Sequence, residues 1–103
     1  MSTDLIIVLG QVTVAPSDTQ TFLEDIAGID PSDRADSGCI SYSVSVSDQA
    51  EGRMLVVERW LDEASLKSHL RSAAVAAFGE RWSGRMSGAV RVYDAANERP
   101  LPY

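Results

Sequence analysis

The sequence predicts one α+β domain of the ferredoxin-like kind, β-α-β-β-α-β along the chain. Three observations carry this. Four segments are rich in β-branched residues or alternate apolar with polar side chains, as strands do. Two stretches repeat apolar residues at three- and four-residue spacing, as helices do. These helical stretches follow the first and third strands. In that topology strands one and three lie in the middle of an antiparallel sheet, and both helices cover one face.

Residues 4–14, DLIIVLGQVTV, form the first strand on the strength of their β-branched content. APSDTQ follows, where Ser17 as cap and Gln20 three positions later make a capping box. Phe22, Leu23, Ile26 and Ala27 then mark one apolar helical face, and Gly28 is expected to end or break it. Asp30 as cap and Pro31 at the first helical position predict a short restart before Gly38. CISYSVSVS, 39–47, alternates, with Ile40, Tyr42, Val44 and Val46 on one face and serines on the other. DQAEG is a turn, and Arg53 to Trp60 is the third strand. Asp62 caps a helix from about 63 that continues, with a break, through SAAVAAFGERW. SGRMSG is a loop and 89–95, AVRVYDA, the last strand. The prolines of 96–103 predict an extended tail. Leu101 and Tyr103 give that tail apolar groups with which to dock on the body or a partner.

With 103 residues the chain has room for one domain, 1–103. Nine basic against fifteen acidic side chains give a formal charge of −6. A nucleic acid or an anionic membrane surface needs a basic patch, so neither is expected as a partner. The single cysteine, Cys39, allows no intrachain disulfide, and no Cys/His spacing marks a zinc site. The apolar run near the N-terminus lacks a basic flank and is too short for a signal peptide or a membrane span. A soluble, cytoplasmic protein is the expectation. There is no dinucleotide fingerprint, P-loop or metal motif.

The sheet face away from the helices should be wet and polar, yet strands one and three are apolar on both faces. Leu5, Ile7 and Leu9 oppose Ile6, Val8, Val12 and Val14, and Met54 and Val56 oppose Leu55 and Val57. A second copy packed sheet against sheet is the simplest cover, so a homodimer is expected. Either face of strand one can be the seam; Val8 and Val12 are taken as the seam set and Ile7 and Leu9 as the control.

Candidate site residues cluster around the third strand. Alternation puts Glu58 and Trp60 on one face and Arg59 on the other. His69 lies three residues after Leu66 and four before Ala73, on or beside the buried stripe of the next helix. It is either a general base or a structural histidine tied to a backbone carbonyl. Trp60 and Tyr42 are either core or pocket, and each needs a hydrogen-bond partner if buried. Glu58, a carboxylate within an apolar strand, needs pairing, and Arg91 or Arg59 is the expected partner. Phe78 and Trp82 either line the pocket or pack the helix. Cys39 reads as a small core residue.

Gly38, Cys39 and Tyr42 opening strand two, Glu58 and Trp60 closing strand three, and His69 in the next helix together resemble the antibiotic biosynthesis monooxygenase family. The ordered series spans about half the chain. The resemblance implies a dimeric α/β barrel, in which two ferredoxin-like sheets close face to face. The family includes cofactor-free oxygenases of quinols and polycyclic phenols, haem-degrading enzymes and an isomerase of a signalling sugar phosphate, so fold does not fix the reaction. The haem-degrading pattern has an Asn on strand one, a Trp in the helix after strand three and a haem-binding histidine one helical stretch later. Strand one has no Asn and the aligned positions are His69 and Phe78, so haem is disfavoured and no cofactor is expected. The implied chemistry takes a small aromatic or quinol substrate and dioxygen. His69, Trp60 and Tyr42 would be catalytic, His69 at the hydroxyl and the other two hydrogen-bonding an oxygen, while Phe78, Trp82 and Glu58 contact substrate. A small-molecule isomerase and a non-catalytic ligand-binding dimer are the alternatives on the same scaffold.

Overall fold

A computed structural model describes residues 4–102. Strands β1 (Leu5–Val14), β2 (Cys39–Asp48), β3 (Arg53–Trp60) and β4 (Met86–Ala95) form one sheet in the order β2-β3-β1-β4. Every neighbouring pair is antiparallel. Helix α1 (Thr19–Ile29) follows β1, and α2 (Glu63–Leu70) and α3 (Ala73–Trp82) follow β3. This is the ferredoxin-like α+β arrangement, with β1 and β3 central as the sequence predicts.

Register decides which side chains share a face. Val8 lies opposite Glu58 on β3 and Val92 on β4, and Glu58 lies opposite Tyr42 on β2. This is the helix side. It carries a core of Ile6, Val8, Cys39, Val56, Trp60 and Leu66, and a second one of Val14, Phe22, Met54 and Trp82. Burying each large side chain of these clusters stabilises the fold by roughly 1.5–3 kcal/mol. Ile7, Leu9, Leu55 and Tyr93 point the other way, and Leu9, Leu55 and Tyr93 are exposed there. Val8 and Val12 therefore face the helices, and Ile7 and Leu9 belong to the open face, the reverse of the seam and control sets taken from the sequence.

Five local expectations are corrected. The capping box of Ser17 and Gln20 does not form, because Pro16–Asp18 is a 3-10 turn and α1 starts at Thr19 with no side-chain cap. A tertiary contact wins there: the Gln49 amide donates to the Pro16 carbonyl at 3.0 Å and sits against the Thr19 hydroxyl. Gly28 does not break α1, which runs on to Ile29. Asp30 starts no helix, because its carboxylate accepts the Ser32 N–H at 2.8 Å and makes a local turn instead.

In β2 a bulge lies between Cys39 and Ser41, so the alternation slips by one residue. Cys39 is thereby buried in phase with Tyr42, and Ile40 is exposed rather than sharing their face. β4 begins at Met86, three residues before the expected start, because pairing with β1 extends to Val14.

The expected break between the later helices is real. Ser72 caps α3 by accepting the Val75 N–H at 3.2 Å. The tail is held to β3 through an Arg59–Glu98 ion pair, while Leu101 is 73% exposed and does not dock on the body. Tyr103 lies outside the described residues. Among the described residues no helix is long and apolar enough to cross a membrane.

Candidate active site

The site grows from the end of β3. Alternation turns both Glu58 and Trp60 towards the helices, and the fully buried Trp60 donates its indole N–H to Glu58 Oε1 at 2.9 Å. Asp62 caps α2 by accepting the Ser65 N–H at 2.8 Å, which fixes where the helix begins. One turn on, Leu66 and His69 share the face that returns over the sheet, and both are buried. The bulge in β2 sets Tyr42 directly across from Glu58. The imidazole then lies 5.1 Å from the Trp60 ring and 5.7 Å, edge-on, from the Tyr42 ring. Tyr42, Glu58, Trp60 and His69 thus form one cluster.

Beside it is a cavity of about 340 Å³ between sheet and helices. Val8 and Val56 line it from the central strands, Phe22 and Phe78 from the helices, and Val90 and Val92 from β4. Its polar edge is Tyr42, Glu58 and His69. An apolar cavity with a few convergent polar groups is the usual form of a small-molecule site. His69 is only 9% exposed, yet no group among the described residues hydrogen-bonds its imidazole, nor the Tyr42 hydroxyl. Among the described residues no fully buried side-chain polar atom lacks a partner, so these atoms look onto open space. The backbone-tied structural histidine is not what the geometry contains.

Burial sets the protonation states. Desolvation holds His69 below the ordinary histidine range, the Arg34 charge adds to this, and Asp30 opposes it. The imidazole is therefore neutral near pH 7 and able to accept a proton. Desolvation raises the Tyr42 pKa, helped by the Glu58 charge, so the phenol keeps its proton and can donate. Glu58 is raised by desolvation, partly offset by the Trp60 hydrogen bond. Cys39 is pushed up to about 11 by burial first and the Glu58 charge second, which makes it a poor nucleophile.

Several expectations change here. Glu58 has neither arginine as partner: Arg59 pairs with Glu98, and Arg91 lies on the other face of the sheet. The indole N–H satisfies it instead, and so Trp60 has no donor left for a substrate oxygen. Phe78 is on the cavity wall. Trp82 is not; it is fully buried in the second core, donates to Asp25 at 2.8 Å and carries the Arg85 guanidinium 4.2 Å above its ring. Met86, Val90 and Val92 were missed as wall residues. The signal was present, since β4 pairs with β1 and places Val92 beside Val8. Among the described residues, no three His, Cys, Asp or Glu side chains gather as a metal centre would need.

A ferredoxin-like sheet whose helix side encloses an apolar cavity edged by Tyr, Glu and His defines a small α+β protein with a candidate small-molecule site. The chain belongs to the antibiotic biosynthesis monooxygenase family, whose model matches residues 5–81. Solved structures share the fold. A candidate antibiotic biosynthesis monooxygenase from Caulobacter crescentus is 22% identical, with a TM-score of 0.79 over 92% of both chains. One from Deinococcus radiodurans is 18% identical, with a TM-score of 0.78 over 93% of this chain and 97% of that one. A conserved protein of Methanosarcina mazei is 24% identical, with a TM-score of 0.74 over 88% of this chain and 92% of that one. No curated protein matches the chain.

Proposed function

We propose that the protein is a cofactor-independent monooxygenase of a small phenol or quinol. The observation that carries this is the unpartnered, neutral imidazole of His69 at the edge of an apolar cavity sized for a small aromatic. Family membership supports the reaction class. The aromatic ring lies among the valines and Phe78. His69 accepts the phenolic proton, and the Tyr42 hydroxyl donates to the resulting oxyanion. The phenolate passes an electron to dioxygen, and the radical pair joins in a C–O bond at a ring carbon bearing hydrogen. The imidazolium returns its proton to the peroxide so formed, and the O–O bond of that hydroperoxide then breaks as the C–H proton passes to the departing hydroxide. One oxygen stays as a carbonyl and the other departs as water: phenol + O2 → quinone + H2O. The substrate supplies every electron, so the balance needs neither flavin, haem nor metal. Trp60 stiffens Glu58 and stacks near the imidazole, a positioning role.

The same reading includes a homodimer closed over the face that carries Ile7, Leu9, Leu55 and Tyr93. The exposed apolar side chains of that face support it. A cytoplasmic setting fits the single, buried Cys39. The test is an oxygen electrode with a panel of naphthols and quinols. Saturable uptake, one O2 per quinone formed, is the expected outcome. Turnover without oxygen uptake would point to an isomerase, and saturable binding without turnover to a ligand-binding dimer.

A further inference from the structure

His69 borders a second, polar cleft on the far side from the apolar cavity. This cleft, of about 1010 Å³, lies between the end of α1 with the segment after it, the length of α2 and the start of α3. Trp60 and Ile29 also touch it, and Ile29 lines the apolar cavity too. The cleft is more polar than the cavity. Asp30, Asp33, Asp36 and Asp62 line it against the single cation Arg34, and Ser37, Ser65, Ser68 and Ser72 add hydroxyls.

The cleft's floor is fixed. The Gly38 carbonyl accepts the Leu61 N–H at 2.8 Å. Gly38 has φ +76°, and a Cβ there would meet the Ser65 hydroxyl at 2.1 Å, so the segment after α1 is seated directly on α2. An acidic rim alone would be only a solvated surface. Here a histidine more than nine-tenths buried, with no hydrogen-bond partner among the described residues, lines both the cleft and the apolar cavity.

We propose that this cleft is a subsite for a cationic, amine-bearing arm of the aromatic substrate, with the ring in the apolar cavity and His69 at the junction. The inference rests on the aromatic reading of that cavity and deepens it to a substrate class. Four carboxylates against one guanidinium attract an ammonium and repel a carboxylate, with the serine hydroxyls accepting the ammonium N–H groups.

The experiment is anaerobic titration of the whole protein, followed by tryptophan fluorescence, with four naphthols. One is unsubstituted and three carry a short arm ending in ammonium, hydroxyl or carboxylate. The ammonium arm is expected to bind roughly threefold to tenfold more tightly than the hydroxyl arm, with the carboxylate arm weakest. High salt should shrink the gap. So should the double change Asp33→Asn and Asp36→Asn, which alters two exposed side chains and leaves the core intact. Equal affinities, a carboxylate preference, or a gap that ignores both salt and the double change would overturn the proposal. If none of the naphthols binds, the aromatic cavity fails and the subsite falls with it. If the order holds but no oxygen is consumed in air, the subsite stands and the monooxygenase reading fails.

Discussion

Glu58 and His69 titrate in opposite senses, and the signs give separate tests. The folded-state pKa of Glu58 is raised above that of the unfolded chain. Its stabilising contribution is therefore full below the unfolded value, about 4.3, and is lost as pH rises through the folded value. Glu58→Gln keeps an acceptor for the Trp60 N–H and removes the buried charge. It should raise the melting temperature at pH 7.5, and the gain should vanish near pH 4, as thermal scans at the two pH values would show. His69 is lowered, so its contribution is present above about 6.5 and lost as pH falls through the folded value. The rate should fall on the same acid limb, with its midpoint below the ordinary histidine value, and a pH profile of kcat/KM reads this. At this scale the sequence placed Glu58 and Trp60 on one face and brought His69 back over it, because strand alternation and helical spacing are local rules. It misassigned the partner of Glu58, since a buried carboxylate asks for a cation first. An indole two residues along the same face meets the need without one.

Among the elements, the stretch from Gly38 to Trp60 is the most informative. β3 has the predicted bounds, and the helix break falls where Ser72 offers a cap. Elements failed where a long-range contact outweighed a local signal. Gln49 displaced the capping box at Ser17, and β1 drew β4 out to Met86. The bulge at Ile40 is likewise invisible to alternation, yet it is what turns Tyr42 towards Glu58. Two changes test the seating of these elements. Gly38→Ala puts a methyl group against Ser65 at a positive φ, and should destabilise by about 1–3 kcal/mol. Ser72→Ala removes the α3 cap, and should cost about 0.5–2 kcal/mol. Urea denaturation measures both.

The whole molecule has one sheet with two unlike faces. The helix side holds the cavity, and the other side presents Ile7, Leu9, Leu55 and Tyr93 without a covering helix. That both faces are apolar was legible in the sequence. Which face the helices take was not, because helix placement depends on the hand of the crossover and not on hydrophobicity. Leu9→Lys should weaken a dimer on the order of tenfold or more, read by sedimentation across a concentration series, with the cavity undisturbed. The most direct test of the central claim, that the cavity beside His69 is where oxygen chemistry occurs, is oxygen uptake by His69→Ala against the wild-type protein. It is measured on a naphthol substrate with both proteins folded and in the same assembly state. Loss of general base catalysis predicts a fall in rate of about 10²–10⁴-fold. Oxygen uptake undiminished in His69→Ala would contradict the claim and move the reaction away from this cavity.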